Sequence, residues 1–151
     1  MTLADLEAVI GIEASAFEQP WTAHSFRTEL MKNDLAYYLV AKVGDRIAGY
    51  GGIWVIINEA HLTTLAVDRA YRRLGVASAM LQALIEKAFT MGARRITLEV
   101  RPSNSAARRL YEKFGFTARG VRKNYYIDED GLVMYRSIRN FCRENNNDPA
   151  S

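Results

Sequence analysis

Apolar residues in the first stretch of the chain fall at Leu6, Val9, Ile10, Ile12 and Phe17, the rhythm of one helical face, and predict a helix over Asp5–Phe17. Pro20-Trp21-Thr22 breaks that rhythm, and Thr22 is placed to cap a short second helix over Ala23–Met31. The pattern then changes period. Tyr37–Val43 and Arg46–Ile57 are rich in β-branched and aromatic residues and predict two strands, joined by the turn signal Gly44-Asp45. Gly49, Gly51 and Gly52 mark a bend or bulge in the second. His61–Val67 predicts a third strand, and Asp68–Gly75 a polar, basic loop. Val76–Met91 carries an amphipathic helical pattern closed by Gly92. Arg95–Val100 is an apolar strand. Ser103 or Asn104 caps a helix that ends near Phe114, with Gly115 just past it, and Phe116–Val121 and Leu132–Ile138 predict two last strands.

Helices, an antiparallel meander, then alternating strands and helices imply an α+β fold: a mixed sheet of about six to seven strands flanked by helices. The strand, helix and strand from His61 to Val100 form a βαβ unit, so its two strands should run parallel. No repeat or Pro/Gly linker interrupts the chain. Residues 1–142 are expected to form a single domain, and the polar stretch 143–151 a disordered tail.

Composition narrows the function classes. The chain has 151 residues, enough for one domain with its own core, and 49% of them are hydrophobic. No apolar run reaches the roughly 20 residues of a membrane span, and the N-terminal stretch lacks the basic region of a signal peptide. A single cysteine, Cys142, makes no internal disulfide, which points to a reducing cytoplasm. The net charge of +3 comes from basic residues scattered among acids, without the basic stripe of a nucleic-acid binder. Local excesses remain at Arg69, Arg72 and Arg73, and at Arg119, Arg122 and Lys123; an anionic ligand or a solvated face would account for either. His24 and His61 are isolated in sequence, and no spacing of metal ligands is present.

The loop ahead of the long helix is the most specific feature. Amides in the first turn of a helix have no intrahelical partner, and the helix dipole favours an anion there. In Arg72-Arg73-Leu74-Gly75-Val76-Ala77-Ser78, the small residues Gly75 and Ala77 let a phosphate reach those amides, and the arginines add charge. The pattern Arg-x-x-Gly-x-Ala suits a pyrophosphate. It is neither a Walker loop nor a dinucleotide fingerprint, since both glycine signatures are missing.

Three blocks carry a wider resemblance: LAVDRAYRRLGVASAML, ITLEVRPSNSAARRLYEKFGF and VRKNYYIDEDGLVMYRSI. In this order they resemble the GNAT superfamily of acetyl-CoA-dependent acetyltransferases, over roughly Leu3 to Ile138. More narrowly, Phe17–Thr22, Leu98–Asn104 and Arg122–Tyr126 are similar to the ribosomal-protein-alanine N-acetyltransferase branch. The resemblance implies an enzyme that moves acetyl from acetyl-CoA, without a metal, to the α-amine of a protein N-terminus. A ribosomal protein is the acceptor it implies, with no direct nucleic acid or membrane partner.

Residue by residue, the resemblance places the coenzyme's pantetheine arm along Leu65, Ala66 and Val67, on a bulged strand, and its diphosphate on Arg73, Leu74, Gly75, Val76, Ala77 and Ser78, with Arg72 beside it. Asn104 matches an amide that bonds the same arm, although a helix cap would equally explain it. Glu99 matches the general base and Tyr111 the group near the departing sulfur. Trp21, Tyr125 and Tyr126 would line the acceptor groove. Backbone amides freed where the strands splay would serve the carbonyl oxygen.

The implied chemistry is direct attack of a neutral amine on a thioester. An α-amine, with pKa near 8, is about a tenth neutral at pH 7, whereas a lysine is neutral only about once in a few thousand. Glu99 would take the proton directly or through water, yet a carboxylate near pKa 4.3 is a weak base unless burial raises it. Two rival readings stand beside this one. An acetyltransferase for a polyamine or aminoglycoside would want acids around its groove, for which Glu18, Glu59 and Asp128–Asp130 are candidates. A non-catalytic acyl-CoA-binding module would not need Glu99, Asn104 and Tyr111 together.

Overall fold

Helix α1, Leu6–Ala16, follows a short 3-10 turn at Leu3–Asp5 and buries Leu6, Val9 and Ile12, the face its spacing predicts. Helix α2, Ala23–Lys32, starts where Thr22 accepts a bond from the Ser25 amide at 3.2 Å. Strands β1 (Ala36–Val43) and β2 (Arg46–Ile56) pair antiparallel around the turn at Gly44, whose φ is +61°. Strand β3 is Glu59–Val67, and helix α3, Val76–Thr90, is closed by Gly92 at φ +98°. Strand β4 is Arg95–Val100, helix α4 is Ser105–Lys113, and strands β5 (Thr117–Arg122) and β6 (Gly131–Ser137) complete the elements. The structure, a computed structural model, describes residues 1–138; the expectations about Cys142 and the tail at 143–151 lie outside the described residues.

The six strands are ordered β1-β2-β3-β4-β6-β5, in an α+β fold with four α-helices among the described residues. Strands β3 and β4 are parallel, as the βαβ reading predicts, with His61 opposite Thr97. The last two strands are inverted relative to chain order, since β6 lies between β4 and β5 and is antiparallel to both. Nothing in the hydrophobic pattern distinguishes that order from its alternative.

The irregularity that the glycines of β2 predict is present. The register shift skips Ala48, beside the glycine run. The glycines themselves admit close neighbours: a Cβ on Gly52 would lie 2.2 Å from the Tyr38 ring, and one on Gly51 2.9 Å from Leu84. The room they leave holds a polar knot, in which Glu29 Oε1 accepts from the Tyr38 hydroxyl at 3.0 Å, from Asn33 at 3.1 Å and from the Trp54 indole.

Contacts divide the chain into two compact units, Met1–Trp54 with Thr63–Lys87, and Val55–Leu62 with the described residues from Ala88 onward. In the first, Leu6, Val9, Ile12, Phe26, Tyr50 and Ala66 form a core, with Phe26 meeting Tyr50 edge-on at 5.9 Å. In the second, Ile96, Leu98 and Val100 point to one face of β4 and are buried along with Phe116, Met134 and Ile138. That alternation leaves Thr97 and Glu99 on the other face.

Candidate active site

The predicted diphosphate loop lies in the first unit, at the end of β3. Asp68 ties its start: the Asp68 amide donates to the Ala48 carbonyl at 2.8 Å, and its carboxylate accepts from the Ala70 amide at 3.0 Å. A 3-10 turn at Arg69–Tyr71 follows. Two residues then take left-handed backbone, Arg73 at φ +64° and Gly75 at φ +78°. A non-glycine residue there costs of order 1 kcal/mol or more, so Arg73 is a strained position. Gly75 opens α3, with its carbonyl accepting from the Ala79 amide at 3.0 Å. Nothing lies within 4 Å of a Cβ built on Gly75. Arg72, Arg73, Leu74 and Gly75 are exposed and Val76, Ala77 and Ser78 half-buried, so the start of α3 is accessible to a ligand. The residues therefore fit a diphosphate: an accessible helix start, two small residues and two arginines. Leu65 and Val67, half-buried, and Ala66, buried, end β3 just ahead of it.

The predicted chemical residues gather in the second unit. Glu99 stands on β4 with its side chain only 5% exposed. A lone carboxylate so buried needs partners, and it has them on both oxygens. His61 Nε2 lies 2.5 Å from Oε2, and Arg122 Nε lies 3.2 Å from Oε1. The register explains the first pairing: His61 is opposite Thr97, two residues before Glu99 on the same face. Burial pushes the Glu99 carboxyl upward, but the hydrogen bond and charge of His61 and the charge of Arg122 outweigh it and hold the group below the usual carboxylate range. His61 is thus not isolated, as its place in the sequence implied. No local motif could have exposed the pair, because its members are separated by 38 residues and meet only through sheet register.

Tyr125 and Tyr126 follow β5 and meet edge-on with ring centroids 4.9 Å apart. Burial, then the charge of Glu99, pushes the Tyr125 hydroxyl upward. Burial and the neighbouring Tyr125 push Tyr126 up to about 12. Tyr111 on α4 is 7% exposed and packs edge-on against Phe116 at 5.8 Å. Burial and the proximity of Tyr126 raise its hydroxyl well above the ordinary phenol range. Glu99, Tyr111, Tyr125 and Tyr126 are thus linked in one neighbourhood. Trp21 lies in the first unit, 38% exposed, tilted against Phe26 at 5.4 Å, with its amide donating to Glu13 at 3.0 Å.

The acidic segment after the tyrosines is folded on itself. Arg101 pairs with Asp128 and, at 3.4 Å, with Glu129, and its guanidinium lies 4.3 Å from the Tyr126 ring centre. The Ser103 hydroxyl donates to Glu129 at 2.5 Å, and Asp130 accepts from the Asn124 amide at 2.8 Å. The basic cluster at Arg119 and Arg122 is similarly engaged: Arg119 stacks over Tyr135 at 4.1 Å, and Arg122 holds Glu99. Asn104 is a helix cap, its side-chain oxygen accepting from the Ala107 amide at 3.2 Å. Among the described residues no three His, Cys, Asp or Glu side chains are grouped as a metal site, and no helix is long and apolar enough to cross a membrane.

The first unit thus presents an accessible helix start, the second a buried carboxylate near tyrosines, and a family comparison gives the class. The model of the acetyltransferase (GNAT) family matches residues 6–116, and the chain belongs to that family. A Bacillus subtilis protein provisionally named a ribosomal protein bS18-alanine N-acetyltransferase is 43% identical over 140 residues, covering 91% of this chain and 93% of that one. The ribosomal protein bS18-alanine N-acetyltransferase of Escherichia coli K12 is 36% identical over 127 residues, covering 84% of each chain. The crystal structure of the Escherichia coli ribosomal-protein-S18-alanine N-acetyltransferase superposes with a TM-score of 0.83 at 33% identity, covering 91% of this chain and 90% of that one.

Proposed function

We propose that this acetyltransferase moves the acetyl group of acetyl-CoA to the α-amine of a protein N-terminus, with a ribosomal protein carrying N-terminal alanine as its acceptor. The observation that carries the reading is Glu99, a carboxylate 5% exposed whose neighbours include two tyrosines suited to line an acceptor groove. The relatives that span most of both chains are named for this activity. We place the reaction in the cytoplasm, within one domain at residues 1–142, since the family match runs through both compact units.

In this reading the amides of Arg73 to Ser78 hold the coenzyme's diphosphate, with Arg72 adding charge, and Leu65, Ala66 and Val67 offer backbone to its pantetheine arm. Asn104 bonds that arm while capping α4. Tyr111 keeps its proton across the working range, because burial raises its hydroxyl, and so it donates a hydrogen bond to the developing thiolate. An α-amine asks little of a base, because about a tenth of it is neutral at pH 7.

Four of the five acids named for a polyamine site are otherwise engaged. Glu59 pairs with Arg95, Asp128 and Glu129 with Arg101, and Asp130 with the Asn124 amide. That favours a peptide acceptor over a polycation. The test is incubation of the purified protein with acetyl-CoA and a library of peptides with varied N-termini, read by mass. Acetyl on the α-amine of alanine-initiated peptides supports the reading. Acetyl only on polyamines or aminoglycosides, or coenzyme uptake without transfer, overturns it.

A further inference from the structure

We infer that the proton-accepting unit is the His61–Glu99 pair, with His61 as the positioning residue that fixes the carboxylate and carries the proton away. This rests on the acetyl-transfer reading above and names the group that reading leaves open. A carboxylate held by both His61 and Arg122 is an anion by construction, and a weak base at neutral pH. An imidazole in general titrates near neutrality and suits the task far better. Burial separates the two in a second way. The Glu99 side chain is 5% exposed, whereas that of His61 is 32% exposed, so only the histidine offers the proton a route to water.

The geometry is that of a carboxylate–imidazole pair. At 2.5 Å, His61 Nε2 is hydrogen-bonded to Glu99 Oε2, and the carboxylate stabilises the imidazolium that forms when a proton arrives. Arg122 occupies the other oxygen and keeps Glu99 from retaining that proton. Among the described residues, Tyr125 and Tyr126 from the segment after β5 are titratable neighbours of Glu99, while β6 presents the apolar Val133 opposite it. On His61's own strand the nearest charge, Glu59, is paired with Arg95. The ordinary strand-facing polar residue would be solvated and unpaired; this one is aimed at the single buried acid of β4.

The acceptor ammonium gives one proton to the pair. Its nitrogen lone pair forms the C–N bond to the thioester carbonyl carbon, and the C–S bond breaks with its electrons on sulfur. The second nitrogen proton ends on that sulfur, giving amide and free thiol, while the first leaves through His61 to water.

The variant His61→Gln keeps a hydrogen-bonding side chain but cannot carry the proton. With peptide and acetyl-CoA saturating, its kcat at pH 7 should fall about tenfold or more while the KM values stay within about twofold. The parent's kcat should fall toward acid pH, and that acid limb should disappear in the variant. A variant with the parent's kcat and acid limb overturns the proposal. A second measurement does not depend on turnover. In 15N NMR spectra of the protein without ligands at a fixed pH, Glu99→Gln should move the His61 Nε2 resonance, because the carboxylate hydrogen-bonded to that nitrogen is gone. An unmoved resonance overturns the pairing, whatever the acceptor proves to be. A moved resonance in a protein that transfers no acetyl group would fault the functional reading and leave the pair intact.

Discussion

Glu13 shows how a single buried carboxyl is tolerated. It is 5% exposed on α1, one oxygen accepts from the Trp21 amide, and the other has no partner among the described residues. Burial, only partly offset by that bond, raises its carboxyl above the ordinary range. The folded chain therefore holds this proton to higher pH than the unfolded chain, and stability falls as pH rises through the interval above the ordinary carboxylate value. Glu13→Gln keeps an acceptor for Trp21 and cannot ionise. Its melting temperature relative to the parent should therefore increase from about pH 5 to about pH 7.5, and a constant difference would contradict the account. Tyr111 makes a kinetic prediction at the same scale. A phenol and a thiol differ by about 1.5 pKa units, about 2 kcal/mol, so a hydrogen bond to thiolate is favoured over full transfer. Tyr111→Phe should lower kcat with little change in the KM for acetyl-CoA; unchanged kcat in steady-state assays would remove it from the mechanism. Glu99 was legible because a lone acid between Leu98 and Val100 demands a reason, and the described side chains supply one. His61 was not, since an isolated histidine in a strand acquires meaning only from the residue across the ladder.

At the scale of elements, local chemistry was a good guide. Thr22 and Asn104 cap α2 and α4 as their residue types predict, and Gly44, Gly92 and Gly115 take the left-handed backbone that their places at turns and helix ends require. The cap at Asn104 supplies a prediction that separates its two roles. Asn104→Ala should cost about 1 kcal/mol in denaturant unfolding. Asn104→Asp keeps a capping oxygen but loses the amide donor, so it should hold stability near the parent's and raise the KM for acetyl-CoA. If both variants leave that KM unchanged, the residue is a cap alone. Gly75 belongs with it. Its φ of +78° disfavours any side chain, although open space surrounds its Cβ position. Gly75→Val should therefore unfold at only slightly lower denaturant, by about 1–2 kcal/mol, yet bind coenzyme at least tenfold more weakly. Calorimetry showing undiminished uptake would detach the loop from the coenzyme. The exact limits of elements drifted by a residue or so because helix and strand ends depend on neighbours that the periodicity does not contain.

Across the whole molecule, the alternation of strands and helices was enough to indicate an α+β fold and a parallel βαβ step. The insertion of β6 between β4 and β5 was not, because both orders bury the same apolar residues of β6. That inversion matters to function. It sets β5 at the sheet edge, with Arg122 close enough to bind Glu99, and it starts the segment whose tyrosines surround that carboxylate. The acids of the same segment are bound by Arg101 and Ser103, which turns an apparently anionic groove into a stapled loop. In the proposed reading, that engagement favours a neutral amine delivered by a peptide over a polycation. The most direct measurement uses two peptides that begin with alanine and contain an internal lysine, one with a free α-amine and one already blocked there. Incubated with acetyl-CoA and analysed by tandem mass spectrometry, the free peptide should gain one acetyl group, on its α-amine, and the blocked peptide none. Equal labelling of the internal lysine in both peptides would contradict the account.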